Sequence, residues 1–166
     1  MDNKLAQAAA DNFLNKGYSC SESIVQAAID LNIVPKELLS VATSFSGGMG
    51  SGCLCGAIAG SQIVLGYLFG KNKTNTARAL APEGASAHVA DVVHGPCSSQ
   101  APVAPARALA KEFIEEFKKT HKATCCRVLT AGLDFHSPER KKHCVNMVES
   151  CANILSTMLE REMSKV

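Results

Sequence analysis

Eight of the 166 residues are cysteines: Cys20, Cys53, Cys55, Cys97, Cys125, Cys126, Cys144 and Cys151. A deprotonated thiol is a nucleophile, a redox group and a soft metal ligand, so sulfur is the chemistry this chain is best equipped for. The opening stretch, "MDNKLAQAAADNFLNKG", mixes charged and apolar residues at helical spacing. It lacks the uninterrupted apolar segment of a secretory leader, which points to the cytoplasm. Structural disulfides are rare there, and clustered cysteines more often bind metal or do redox work.

Three of the cysteine positions share a physical feature. Cys20, Cys53 with Cys55, and Cys125 with Cys126 fall at the predicted N-termini of helices. At such a terminus the unpaired N–H groups and the positive end of the helix dipole favour thiolate. That setting suits an anionic sulfur ligand or a reactive thiol, and the same N–H groups can donate to the bridging sulfides of a cluster. The segment "SGGMGSGCLCGAIAG", residues 46 to 60, can supply further backbone donors. It is not a nucleotide loop: Gly48, Gly50 and Gly52 leave no glycine where GxGxxG needs its third, and no GK[ST] follows.

The other candidates are weaker on spacing alone. Cys144 and Cys151 lie on one apolar stripe of the last helix, where a cysteine is often just a small buried hydrophobe. Cys125 and Cys126 are neighbours, so on a helix they point in different directions and one can face a site while the other packs elsewhere. His88, His94 and Cys97 offer imidazole and thiolate in a segment without regular motif, where a zinc site is conceivable and plain loop is the commoner outcome. His121 and Cys125 stand four apart, the spacing of a base and a nucleophile on one helix face, with no evident third residue to orient them.

The elements that must position these groups read as helices. Apolar Leu5, Ala8, Ala9, Phe13 and Leu14 recur at three and four, predicting a helix over 2–16 ended by Gly17. Ser19 with Glu22 forms a capping-box pattern before "CSESIVQAAIDLN". Pro35 suits the first turn of a short helix, "PKELLSVATSF". Residues 53–69 read as a nearly all-apolar helix with Gly56 and Gly60 four apart, and Gly66 and Gly70 repeating that spacing, so neighbours can approach closely. Residues 71–105 lose periodicity and collect prolines and glycines, predicting an irregular excursion that could hold a short helix. Helical patterns return in "ARALAKEFIEEFKKTHK", in "CCRVLTAG" with Thr124 as its cap, and in a long final helix opened by Ser137 and Pro138. Its stripe is Cys144, Met147, Val148, Cys151, Ile154, Leu155, Met158 and Leu159.

Composition supports this picture and removes several function classes. Aromatics make up 5% with no Trp, so the core must be built from Ala, Leu, Ile, Val and Met, which favours helices. Seventeen basic against fifteen acidic residues leave +2, and the basic residues are scattered apart from the short run Arg140, Lys141, Lys142 with His143, so no nucleic-acid footprint is expected. No charge occurs between Glu37 and Lys71, but the half after Cys53 barely reaches spanning length and carries four glycines, Ser61 and Gln62. It is read as a buried central helix and not as a membrane span.

The order of these elements resembles a known pattern: Cys20, a glycine-rich loop into "CGAIAGSQIVLG", then "CCRVLTAGLD", then "HCVNMVESCANIL". It is similar to the C_GCAxxG_C_C family of redox-active proteins, and the resemblance covers most of the chain. Carried over residue by residue, the family's four cysteines match Cys20, Cys55, Cys126 and Cys144. This lifts Cys144 above core packing. The family is related to the iron-sulfur domain of split-Soret cytochromes, and the resemblance implies cluster binding and a homodimer. The chain has no C-x-x-C-H, so covalent haem is not expected. It also adds Cys53, Cys97, Cys125 and Cys151 to the pattern. Of these, Cys53, Cys125 and Cys97 are possible additional ligands.

The sequence therefore predicts one all-α domain over 1–166, a compact helical bundle with a glycine-rich loop and a cysteine-lined site. Its expected function is iron-sulfur redox or electron transfer with an unidentified redox partner, four thiolates matching the ligand count of two-iron and four-iron clusters. Two alternatives stand beside it: a metal-free thiol-disulfide oxidoreductase and a structural zinc protein.

Overall fold

The computed structural model describes residues 4–70 and 105–164. Among them are seven α-helices: α1 Lys4–Leu14, α2 Cys20–Asp30, α3 Leu38–Ala42, α4 Gly56–Phe69, α5 Pro105–His121, α6 Cys126–Leu129 and α7 Pro138–Met163. No strand forms among the described residues; one isolated antiparallel bridge joins Leu54 to Cys125. The expected all-α class is the one observed. The excursion over 71–104, with His88, His94 and Cys97, lies outside the described residues.

Helix α1 packs on α2 and α7, and α4 packs on α2, α5 and α7. Helix α7 buries the stripe its periodicity marks, but α1 does so only in part: Leu5 and Ala9 are buried, Ala8 and Phe13 half-buried and Leu14 exposed, while Ala6, Ala10 and Asn12 are buried instead. Leu5 and Ala9 of α1, Ile24 and Ala28 of α2, Phe113 and Phe117 of α5, and Val148, Cys151, Leu155 and Leu159 of α7 join one core cluster. Fully burying a Leu, Ile or Phe side chain is worth about 1.5–3 kcal/mol, and this shared interior holds the helix starts in place.

Helix α4 is the central element. Gly56 to Ser61, Val64 and Leu65 are buried, and among the described residues no helix is long and apolar enough to cross a membrane. Its two glycine pairs do different things. A β-carbon on Gly60 would stand 2.5 Å from the Ser21 carbonyl oxygen, so its absence lets α2 and α4 close on each other. Gly66 meets nothing within 4 Å, and Gly70 caps the helix, so the second pair is not a packing surface.

Helix ends follow the expected signals with local shifts. Gly17 takes φ +78° after α1, and Ser137 Oγ accepts from Arg140 N at 3.1 Å to cap α7. The segment after Pro35 begins as tight turns, with Leu38 N on Pro35 O and Leu39 N on Lys36 O, so α3 starts three residues later and ends in a 3₁₀ turn over Thr43–Phe45. Helix α4 starts at Gly56, with Cys55 as its cap. Cys53 is therefore in the loop, where its ψ of −119° is not helical. Helix α6 starts at Cys126 with Cys125, not Thr124, as cap.

Candidate functional site

The site begins at the N-terminus of α2. The Glu22 carboxylate accepts from Ser19 N at 2.9 Å and from Ser19 Oγ at 2.7 Å, which fixes the first turn and places Cys20 as its first residue. Ser46 Oγ donates to Ser19 Oγ at 2.5 Å, and Ser21 Oγ donates to Ala42 O at 2.8 Å. These hydroxyls tie the glycine loop to the start of α2. The Gly47 N–H then faces Cys20 Sγ.

Backbone positions closed to other residues shape the loop. Gly47, Gly48, Met49 and Gly50 all have positive φ, a run that only glycine adopts freely. A β-carbon on Gly48 would stand 2.6 Å from Cys53 N and 2.8 Å from Cys126 Cβ, so the bare backbone lets the loop reach α6. Met49 is the exception in this run: it holds φ +57° at the exposed tip.

The two later cysteine segments are laced together by the backbone. Cys55 N donates to Thr124 O at 2.8 Å, and Cys126 N donates to Cys53 O. Helices α4 and α6 thus start side by side, with the N–H groups of Ala57 and Ile58 facing Cys55 Sγ. Cys126 lies at the first position of α6 and is 7% exposed, whereas Cys125 turns its thiol to Gly52 O at 3.2 Å. The expected divergence of these neighbours is observed.

Cys20, Cys126 and Cys144 line one cavity of about 680 Å³, together with Gly47, Phe135 and Arg140. Cys55 is 6% exposed and lies close enough to Cys20 and Cys126 that a charge on either acts on it. The four cysteines matched through the family resemblance thus come together, from α2, the cap of α4, α6 and α7. Cys53 is exposed, and Cys151 is wholly buried in the core cluster, as its stripe position suggests.

The electrostatics run against the thiolate expected at the helix starts. Burial, with the Cys126 charge adding to it, pushes the Cys20 thiol up despite the N–H groups of Gly47 and Ser21. Burial and then the Cys20 charge push Cys55 to about 12. Burial and Cys20 raise Cys144 as well, partly offset by the Arg140 guanidinium. Desolvation of a buried anion outweighs the helix terminus at these positions. With no counter-cation these three thiols are protonated at neutral pH.

Arg140, which sequence reasoning passed over as part of a basic run, lines the thiol cavity. Its Nη2 lies 3.7 Å from Cys126 Sγ, it acts on Cys144, and its guanidinium stacks 4.6 Å from the Phe135 ring centroid. The signal available was its place: three residues after the Ser137 cap and four before Cys144, so Arg140 and Cys144 share a helix face.

The His121 and Cys125 pairing is not formed. Helix α5 stops at His121, Lys122 turns through φ +62°, and the imidazole stacks on Phe117 at 4.4 Å. Nor, among the described residues, do any three His, Cys, Asp or Glu side chains form a group that could hold a metal ion as they stand.

Fold and site together define an all-α protein with a cavity lined by cysteines from separate helices beside a glycine loop. The chain belongs to the family described as "Putative redox-active protein (C_GCAxxG_C_C)", whose model matches residues 18–158. Comparison with curated proteins and with solved structures gave no match.

Proposed function

We propose that the chain is an electron-transfer protein holding an iron-sulfur cluster on Cys20, Cys55, Cys126 and Cys144. The observation that carries this reading is the convergence of four thiols, three of them at helix starts with backbone N–H groups facing the sulfurs of Cys20 and Cys55. Thiolates are the ligands such clusters take, and N–H donors to sulfur are among the levers that set their potential. When bound, the cluster supplies reversible uptake and release of one electron, exchanged with a redox partner protein.

The residues of the chain fit that group in chemistry. Bound iron would supply the cation that burial makes the thiolates of Cys20, Cys55 and Cys144 need, and Arg140 would offset part of the remaining negative charge. Zinc on the same cysteines, with its sulfurs at about 2.3 Å, is the alternative that the bound metal's identity separates. Buried thiols held above their usual range are poor nucleophiles for disulfide exchange. A homodimer and a cytoplasmic setting belong to the same reading, through the family resemblance.

The test is iron, acid-labile sulfide and the visible spectrum of protein purified without oxygen. Stoichiometric iron and sulfide with broad charge-transfer absorption is the expected result. Metal-free protein from competent anaerobic expression overturns the reading in favour of thiol-disulfide exchange, and bound zinc overturns it in favour of a structural site.

A further inference from the structure

A second cavity, of about 550 Å³, opens beside the first and contains none of the cysteines. Its walls include Gly52, Arg127, Thr130, Leu133, Phe135 and Arg140. It shares Ser46, Gly47, Phe135 and Arg140 with the thiol cavity, so a molecule seated in one lies next to the other.

The charge of these walls is one-sided. No Asp or Glu lines either cavity, whereas Arg127 and Arg140 line the second and Arg140, Lys141 and His136 line the first. Among the described residues neither Arg127 nor Arg140 is paired with a carboxylate; the arginine ion pairs there belong to Arg161, with Glu112 and Glu162. Glu139, next to Arg140 in sequence, is exposed and lines neither cavity, and the Asp134 carboxylate accepts from His136 N at 2.9 Å. Two guanidinium groups at one concavity without a counter-charge favour an anion.

The arginines are held in place. Arg127 Nη2 donates to Ser51 O at 2.9 Å, and the side chain lies over Gly52, where a β-carbon would stand 3.4 Å from Arg127 Cβ and from Nε. One of five N–H donors is thereby used to fix the fork. Arg140 is fixed by the Phe135 ring at 4.6 Å and by Cys126 Sγ at 3.7 Å. Planar forks held in advance suit oxyanions, which they bind through paired hydrogen bonds. The remaining wall sets the hydroxyl residues Ser46, Ser51 and Thr130 beside apolar Ala131, Leu133 and Phe135, the last 61% exposed.

We propose that this cavity binds a small organic oxyanion, its carboxylate or phosphate on Arg127 and Arg140 and its apolar body against Phe135. The bound molecule would sit beside the sulfur site, as a substrate or effector of its redox chemistry. The binding step itself is independent of whether iron is present.

The test is calorimetry at low salt with benzoate, phenyl phosphate and inorganic phosphate, on protein of measured iron content. Saturable binding of benzoate or phenyl phosphate is expected, and the stronger of the two identifies the headgroup. Inorganic phosphate should bind more weakly, because it has no body to set against Phe135. Arg127→Gln should weaken binding about tenfold or more, while Lys111→Gln on the exposed side of α5 leaves it unchanged. As a check that needs no variant, the bound probe should protect Arg127 and Arg140 of the wild-type protein from phenylglyoxal. Absence of saturable binding, equal binding by Arg127→Gln, or unprotected arginines would each overturn the proposal. Iron content is read separately, so iron-free protein that binds the probe fails only the cluster reading, and iron-loaded protein that does not bind fails only this one.

Discussion

Cys20 Sγ occupies the space that a β-carbon on Gly56 would need. The thiol at the start of α2 thus seats on the bare first residue of α4, directly after Cys55. Any side chain at 56 must push Cys20 away from the site or part the two helices. Gly56→Ala is expected to lower stability by about 1–3 kcal/mol, the usual range for overpacking a tight interior. Gly66→Ala, in the same helix but facing open space, should raise it by about 0.5–1 kcal/mol. Urea midpoints of the two variants measure both, and opposite signs are expected.

Ligand assignment separates two buried cysteines. Cys126→Ser should cut iron per folded protein several-fold, because it removes a thiol lining the cavity. Cys151→Ala should leave iron loading near wild type while lowering the urea midpoint, since Cys151 is packed in the core cluster. Equal iron loss in both variants removes the assignment.

The metal-free thiols should differ in reactivity as their burial does. Cys53 is exposed and should be alkylated first in the native state. Cys55, pushed to about 12, and Cys151, pushed well above the usual range, should react only on unfolding or in strong alkali. Mass spectrometry of iodoacetamide adducts against time and pH reads this order. Rapid native labelling of Cys55 at neutral pH would show that the seat against α4 is open.

Glu22 makes the start of α2 sensitive to acid. Burial alone would raise its carboxyl, but the Ser19 hydroxyl, the Ser19 N–H and the Thr43 hydroxyl hold it below the usual value. A carboxyl depressed in the folded state adds stability that is present above its unfolded pKa and is lost as pH falls through the folded one. Glu22→Gln should therefore be less stable than wild type at neutral pH, and the difference should be lost in acid once pH has fallen through the folded carboxyl's pKa. Denaturant midpoints at neutral and at acid pH measure it. A constant difference would assign the loss to the hydrogen bonds alone.

Much of this was readable from residue type and period. The helices α1 and α5, the stripe of α7, the Ser19 and Ser137 starts, the Gly17 stop and the all-α class follow from local propensity and three-to-four spacing, which act within a few residues. The ordered cysteines and the glycine loop marked the family, which residues 18–158 match. The places where local reading slipped are set by neighbours distant in sequence. Cys53 left the expected helix because its carbonyl accepts from Cys126 N, and Thr124 lost the cap because its carbonyl accepts from Cys55 N. His121 and Cys125 parted because Lys122 takes a positive φ that no periodicity announces.

By itself, then, the sequence determined the helices, the sulfur chemistry and the glycines that permit close approach, since these depend on side-chain type and local backbone freedom. Only the tertiary structure decided that Cys20, Cys126 and Cys144 line one cavity with Cys55 close to Cys20, that burial raises the thiols of Cys20, Cys55 and Cys144, and that Arg140 lines both this cavity and a second one. Desolvation and charge act through space, so a group's state depends on what the fold packs around it, and that depends on all the helices at once.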